Sequence, residues 1–171
     1  MKQLDAEALL LKLRDGVRGL LKPDAVLVGI WRGGAWLAER LQRDLALPGG
    51  SAGYGVISST LHRDDFGSRG LGGSDPTRLP FDINGRHVVL VDDVLYPGRT
   101  IRAVVNELYD YGRPASVQLA VLVDRGGREL PVAAAYAAAQ LQLPAEQRLS
   151  LARGEDGALS FALRDKTGDR L

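Results

Sequence analysis

The sequence predicts an α/β fold: a central, mostly parallel sheet with helices on both faces. Three observations lead there. Short apolar runs that read as buried strands, at residues 25–30, 88–91 and 117–123, alternate with segments whose apolar residues recur at helical spacing. The run 117–123 is almost continuously apolar, as a strand covered on both faces requires. The residues able to do chemistry, Gly29-Ile30, Asp92-Asp93 and Asp124-Arg125, fall at the carboxyl ends of such runs, where parallel sheets bind their ligands.

The elements follow in order. Residues 5–21 form an amphipathic helix with Leu9, Leu10, Leu13, Val17 and Leu20 on one face, ended by Pro23 and Asp24. The strand 25–30 comes next, then Gly33-Gly34 and a helix over 35–45. Residues 48–53 are a turn cluster, and 54–61 alternates as a strand. Residues 64–80 are rich in Gly, Ser, Asp and Pro, with little to bury, and read as a long loop of the kind usually functional or disordered. The strand 88–91 leads through a turn to a helix over 100–111, which Gly112 is placed to cap before Pro114. After strand 117–123 come a weaker strand at 133–138 and a terminal β-hairpin, 148–153 with 158–163, around Gly154-Glu155-Asp156-Gly157.

The chain has 171 residues, enough for one domain with a real core, so residues 1–171 are expected to form a single domain. Without cysteine it has no disulfides, thiolate catalysis or cysteine-based zinc site. No run approaches the roughly 18 apolar residues of a membrane span. The start, MKQLDAEALL, is acidic too early for a signal peptide, so a cytoplasmic protein is expected. The net charge of +1 gives no global sign of nucleic-acid binding. His62 and His87 have no metal-ligand spacing.

The most informative stretch is HVVLVDDVLYPGRT, residues 87–100. An apolar strand ends in Asp92 and Asp93, and a turn with Gly98 leads to Thr100 at a helix start. A helix N-terminus attracts anions, because its first amides lack intrahelical acceptors and the dipole adds positive potential. Paired acids beside such a pocket suit a ligand with one phosphate and several hydroxyls, a sugar phosphate.

This stretch resembles the phosphoribosyl-diphosphate (PRPP) signature of type I phosphoribosyltransferases. Together with LHRDDF (61–66), NELYDYGRP (106–114) and LAVLVDRGGRELP (119–131) it is similar to one branch, the pyrimidine-operon regulator/uracil phosphoribosyltransferases of PyrR type. The resemblance implies a type I phosphoribosyltransferase-like fold and transfer of ribose 5-phosphate from PRPP to uracil, giving UMP and diphosphate with substrate-bound Mg²⁺. It also implies sensing of UMP or UTP to control pyrimidine genes, contact with an mRNA leader, and a homodimer or higher oligomer, with Trp31 and Trp36 near the partner. Asp92 and Asp93 would hold the ribose hydroxyls near Mg²⁺. Tyr96, Pro97, Gly98, Arg99 and Thr100 would cradle the 5′-phosphate. Arg32 and Gly33 would meet diphosphate, as would Arg63 at the start of a loop that closes over the site. Asp124 and Arg125 would meet the base edge or the nucleotide phosphate. Arg14, Arg18 and Arg128 are the residues left for RNA.

The chain departs from the family at several points. Pro97 stands where a Thr is usual, removing one amide and one hydroxyl from the phosphate loop. Trp31-Arg32 alters the first loop, and Ser58 replaces a frequent acid. Gly127 replaces a common His, and residues 137–142 replace a basic segment. RNA binding is therefore expected to be weak and salt-sensitive. An alternative is a divergent nucleotide-binding regulator with little turnover or RNA binding.

Overall fold

The structure is a computed structural model and describes residues 4–58 and 77–165. Helix α1 (Ala6–Leu20) is capped by Asp5, whose carboxylate accepts the Ala8 N–H at 3.0 Å, and it buries Leu9, Leu10, Leu13 and Val17. It lies so close to the sheet that a Cβ at Gly16 would sit 2.3 Å from the Tyr136 ring. Strand β1 (Val26–Ile30) is buried at all five residues. Helix α2 (Gly33–Asp44) starts two residues before the expected 35, because Gly33 and Gly34 form its first turn. Then come β2 (Gly55–Ile57), β3 (His87–Leu95), α3 (Arg99–Tyr111), β4 (Ser116–Asp124) and β5 (Tyr136–Gln140). The chain closes with β6 (Gln147–Arg153) and β7 (Leu159–Asp165).

The five strands β2-β1-β3-β4-β5 form one sheet, and every neighbouring pair is parallel. Alternate residues of the central strand serve opposite faces. Val89 and Val91 pack with α1 and α2, whereas Val88 and Leu90 pack with Ile101, Val104 and Leu108 of α3. Helices cover both faces, as the near-continuous apolar strands required. The antiparallel β6–β7 hairpin sits on the α1/α2 face through Leu149, Leu151 and Leu159.

Several boundaries move, each for a local reason. β3 runs through the two acids to Leu95 rather than stopping at 91, because β4 keeps pairing with it from His87↔Ser116 to Leu95↔Asp124. β5 is displaced to Tyr136–Gln140, since pairing with β4 begins only at Ala120↔Tyr136. β2 is short: after Ile57 the Ser58 N–H turns to the Thr77 hydroxyl at 3.1 Å. Gly112 ends α3 in an extended conformation rather than a left-handed cap. A Cβ there would lie 2.8 Å from Ile83, so close packing accounts for the glycine. Arg63 and most of the expected lid, through residue 76, lie outside the described residues. The part that is described is fastened down: Arg78 exchanges two 2.8 Å main-chain bonds with Val56, and Thr77 donates to Glu107.

Glu7 ties three elements together. It accepts the Arg40 guanidinium of α2 at 3.3 and 3.0 Å and the Leu159 N–H of β7 at 2.9 Å. Burial works to raise its pKa, but the Leu159 N–H and Arg40 outweigh it, and the carboxyl titrates below its ordinary value. A depressed native pKa stabilises the fold above the unfolded-state value, and that contribution is lost as pH falls through the native value. Glu7→Gln is therefore expected to be less stable than wild type at neutral pH, with the gap closing only as pH falls below the ordinary carboxylate value and through the depressed native one. The effect is modest, because the Arg40 and Glu7 side chains are 25% and 40% exposed. Urea titrations across this range check it; a gap that fails to narrow on acidification would show that charge on Glu7 is not what binds the hairpin.

Candidate active site

The site follows from strand order. From β1 the chain crosses to β2 on one side, and from β3 it crosses to β4 on the other. A crevice opens between β1 and β3 at their carboxyl ends, the switch point of the sheet. β1 stays paired with β3 only to Gly29↔Val91. Past that step β3 projects alone on this side, carrying Asp92 and Asp93.

The two acids are successive strand residues, so they point toward opposite faces. Asp92 is 8% exposed, and its Oδ1 accepts the Asp93 N–H at 3.0 Å. Asp93 accepts the Val94 N–H with Oδ1 at 3.0 Å and the Leu151 N–H of β6 with Oδ2 at 3.1 Å. It also abuts the start of α2, where a Cβ at Gly33 would lie 2.6 Å from its carboxyl carbon. Gly34 fits even more closely, against the Val91 carbonyl, and the Trp31–Arg32 peptide beside it is cis. Arg32 stands over the Trp31 ring, 5.7 Å from its centroid.

Across the crevice, Tyr96-Pro97-Gly98 leads into α3. Gly98 takes φ 95°, a left-handed turn that suits glycine, and no side chain caps the helix. The first intrahelical bond is Arg102 N–H to Gly98 O, so the amides of the first turn, with Thr100 among them, have no acceptor within the helix. The helix thus starts at Arg99, one residue before the Thr100 expected from the sequence.

The segment after β4 braces that loop. Asp124 accepts the Gly126 N–H with one oxygen and pairs with Arg128 at 2.5 Å through the other. Arg128 also donates to the Tyr96 and Val132 carbonyls, Glu129 N–H donates to Pro97 O, and Arg99 pairs with Glu129 at 2.8 Å. Gly127, with φ 68°, passes so close to Tyr96 that a Cβ would stand 2.5 Å from the ring. Beside it lies a cleft of about 350 Å³ lined by Asp124, Gly126, Arg128, Gln140, Leu141 and Gln142.

Two of the expected site residues are engaged within the fold. Arg125 does not turn to the cleft: its guanidinium is engaged by the carbonyls of Leu143, Pro144 and Gln147. Arg128 is held by Asp124 and by the carbonyls of Tyr96, Gly126 and Val132. Arg14 and Arg18 both pair with Asp15 on α1. Sequence reasoning missed Leu151 as the donor to Asp93, and Gln140 and Gln142 as cleft residues. Nothing local in the sequence marks a main-chain N–H as a ligand to an acid 58 residues away.

Among the described residues no three His, Asp or Glu side chains cluster as a metal cage. Asp92 and Asp93 supply hard oxygen donors of the kind Mg²⁺ accepts when waters and substrate phosphates complete its shell. No described helix is long and apolar enough to cross a membrane.

Paired acids on the central strand of a five-stranded parallel sheet, followed by an uncapped helix start, are the setting for the family that the comparisons identify. Residues 5–142 match the phosphoribosyl transferase domain, and the chain belongs to that family. Within it the chain is of PyrR type: it is 48% identical over 174 aligned positions to the bifunctional protein PyrR of Ralstonia nicotianae, covering 97% of this chain and 98% of that one. It is 47% identical over 135 positions to the protein of that name from Pseudomonas aeruginosa, covering 78% and 76%. Among solved structures, a Trypanosoma cruzi hypoxanthine phosphoribosyltransferase shares the fold with a TM-score of 0.60 at 23% identity, covering 82% of this chain and 81% of that one.

The contact between Gly33 and Asp93 can be tested directly. Gly33→Ala is expected to push the carboxylate off the Leu151 N–H and cost about 1–3 kcal/mol, as overpacking does. A denaturation midpoint equal to wild type would show that the approach has slack.

Proposed function

We propose that this chain transfers ribose 5-phosphate from PRPP to uracil and, as a uridine-nucleotide sensor, regulates pyrimidine biosynthesis genes. One observation carries the reading: the paired acids of β3 and the uncapped start of α3 follow one another at the carboxyl end of the sheet, where β4 ends at the polar cleft lined by Asp124. The 5′-phosphate sits on the first turn of α3, held by the amides of 98–100 and the Thr100 hydroxyl. Asp92 and Asp93 hold the ribose hydroxyls, and their charge favours the cationic sugar of the transition state. Arg32 and the Gly33-Gly34 amides at the start of α2 face the diphosphate. Bound Mg²⁺ would neutralise the charge leaving with it.

The cleft beside Asp124 takes the base. Uracil presents alternating acceptors and a donor, which the amides of Gln140 and Gln142 can complement. The bond from the anomeric carbon to diphosphate oxygen breaks, the bond to the uracil nitrogen forms, and that nitrogen's proton passes to solvent. UMP or UTP occupies the same crevice when the protein senses rather than turns over.

Self-association fits the half-buried Trp31, since large aromatics are enriched at interfaces. RNA contact is weak, because Arg14, Arg18 and Arg128 are each already paired, and phosphate contacts dominate RNA affinity. A monomer by light scattering, or tight leader-RNA binding at physiological salt, would overturn these two points.

The direct test incubates labelled uracil with PRPP and Mg²⁺. UMP is expected from wild type, and Asp92→Asn is expected to lose about a hundred-fold in turnover, the worth of a strong charge-assisted contact. No UMP from the wild type would leave a nucleotide-binding regulator with little turnover as the reading.

Pro97 gives a second test. Pro97→Thr returns one amide and one hydroxyl to the phosphate loop. The 5′-phosphate is remote from the reacting carbon and is bound alike in ground and transition states, so the gain should fall on the PRPP Michaelis constant rather than on turnover. About a ten-fold decrease is expected. An unchanged constant would mean the remaining amides already satisfy the phosphate.

A further inference from the structure

Arg125 follows the last residue of β4 and is 5% exposed. Its main-chain N–H donates to Leu95 O at 3.0 Å, extending the β3–β4 ladder by one step. Its guanidinium meets neutral acceptors: Nη1 donates to Gln147 O at 2.8 Å, and Nη2 to Leu143 O and Pro144 O at 3.2 and 3.1 Å. The same guanidinium lies over the Tyr96 ring, 3.8 Å from its centroid. Gly127 closes in on that ring as well.

Burying a full charge against neutral carbonyls is costly, and an apolar side chain of similar size could fill the volume. What an apolar side chain could not do is grip two segments at once. A planar guanidinium can fork to several carbonyls in its plane while offering its face to an aromatic ring; a lysine ammonium cannot. The two segments gripped here serve different parts of the site. Tyr96 opens the phosphate loop that caps α3. Residues 143–147 continue directly from Gln140-Leu141-Gln142, the wall of the polar cleft.

We infer that Arg125 is a positioning residue that clamps the phosphate loop to the cleft wall, fixing the spacing between the 5′-phosphate seat and the base seat. Its kinetic consequence rests on the function proposed above; the mechanical coupling does not. A ligand held at both ends feels any change in that spacing at both ends. Loss of the clamp should therefore weaken both substrates together while leaving Asp92 and Asp93 in place to act on what does bind.

The test is amide hydrogen exchange by mass spectrometry on the full chain, paired with steady-state kinetics. Arg125→Met should raise exchange in 95–101 and 141–147 together, and Arg125→Lys should restore only part of the protection. Tyr96→Ala, which keeps the arginine and removes only its stacking face, should also raise exchange in 141–147. It carries the test if Arg125→Met does not fold. In kinetics, Arg125→Met should raise the Michaelis constants for PRPP and uracil in parallel, each by about ten-fold, with turnover changed much less. Exchange in 141–147 unaltered by Tyr96→Ala, or a rise in only one Michaelis constant, would overturn the clamp. If the wild type makes no UMP, the proposed function fails and the exchange result alone decides the clamp.

Discussion

β1 leaves β3 at Gly29↔Val91, while β4 stays with it to Leu95↔Asp124. That difference in pairing length governs the rest of the site. On the β4 side, β3 remains in a hydrogen-bonded ladder, so its backbone is rigid through the acids. On the β1 side, the space the ladder vacates is where α2 begins. Asp92 and Asp93 are thus held by a strand without being covered by one. Acids on a free loop would lose more conformational entropy on binding, and acids two residues earlier would be sealed in the core.

Glycine makes the vacated space usable. At Gly33 and Gly34 an added Cβ would fall within 2.6 Å of the Asp93 carboxyl group and 2.1 Å of the Val91 carbonyl. The helix start can therefore close on the strand end with nothing between them. On the opposite wall, Gly98 turns left-handed to open α3, and Gly127 packs on Tyr96 to hold that turn from behind. The segment 124–132, which as sequence reads like one more ligand loop, braces the turn that opens α3. Asp124–Arg128 and Arg99–Glu129 are pairs between the loop and its brace.

How much of this the sequence discloses depends on the range of the interaction. The parallel sheet, the helices and the hairpin were legible because they rest on periodicity within a dozen residues. The helix start after Gly98 was legible for the same reason, whereas the acids, expected at a strand end, lie inside β3, which β4 keeps paired to Leu95. β5 was misplaced because its boundaries come from register with β4, and its run of alanines has no strong preference of its own. The fate of Arg125 was illegible for a deeper reason. An arginine beside an aspartate at a strand end reads as a ligand contact, and only the path of the chain between β5 and β6 brings three carbonyls to it.

The hairpin changes meaning once these long-range links are counted. It lies beyond the matched family region of residues 5–142, yet it donates the Leu151 N–H to Asp93, contributes Gln147 O to Arg125, and is tied to α1 and α2 through Leu159 and Arg153. One face thus reaches an acid of β3, and the other end reaches helices α1 and α2. A disturbance of the hairpin, whether by mutation or by a partner, would reach Asp93 by one main-chain bond rather than through the sheet. A fold with its acids fixed only by β3 would not be open to such control. Here the orientation of Asp93 depends jointly on β3 and β6, so the terminal hairpin bears on the role proposed for Asp93 as directly as the strand does.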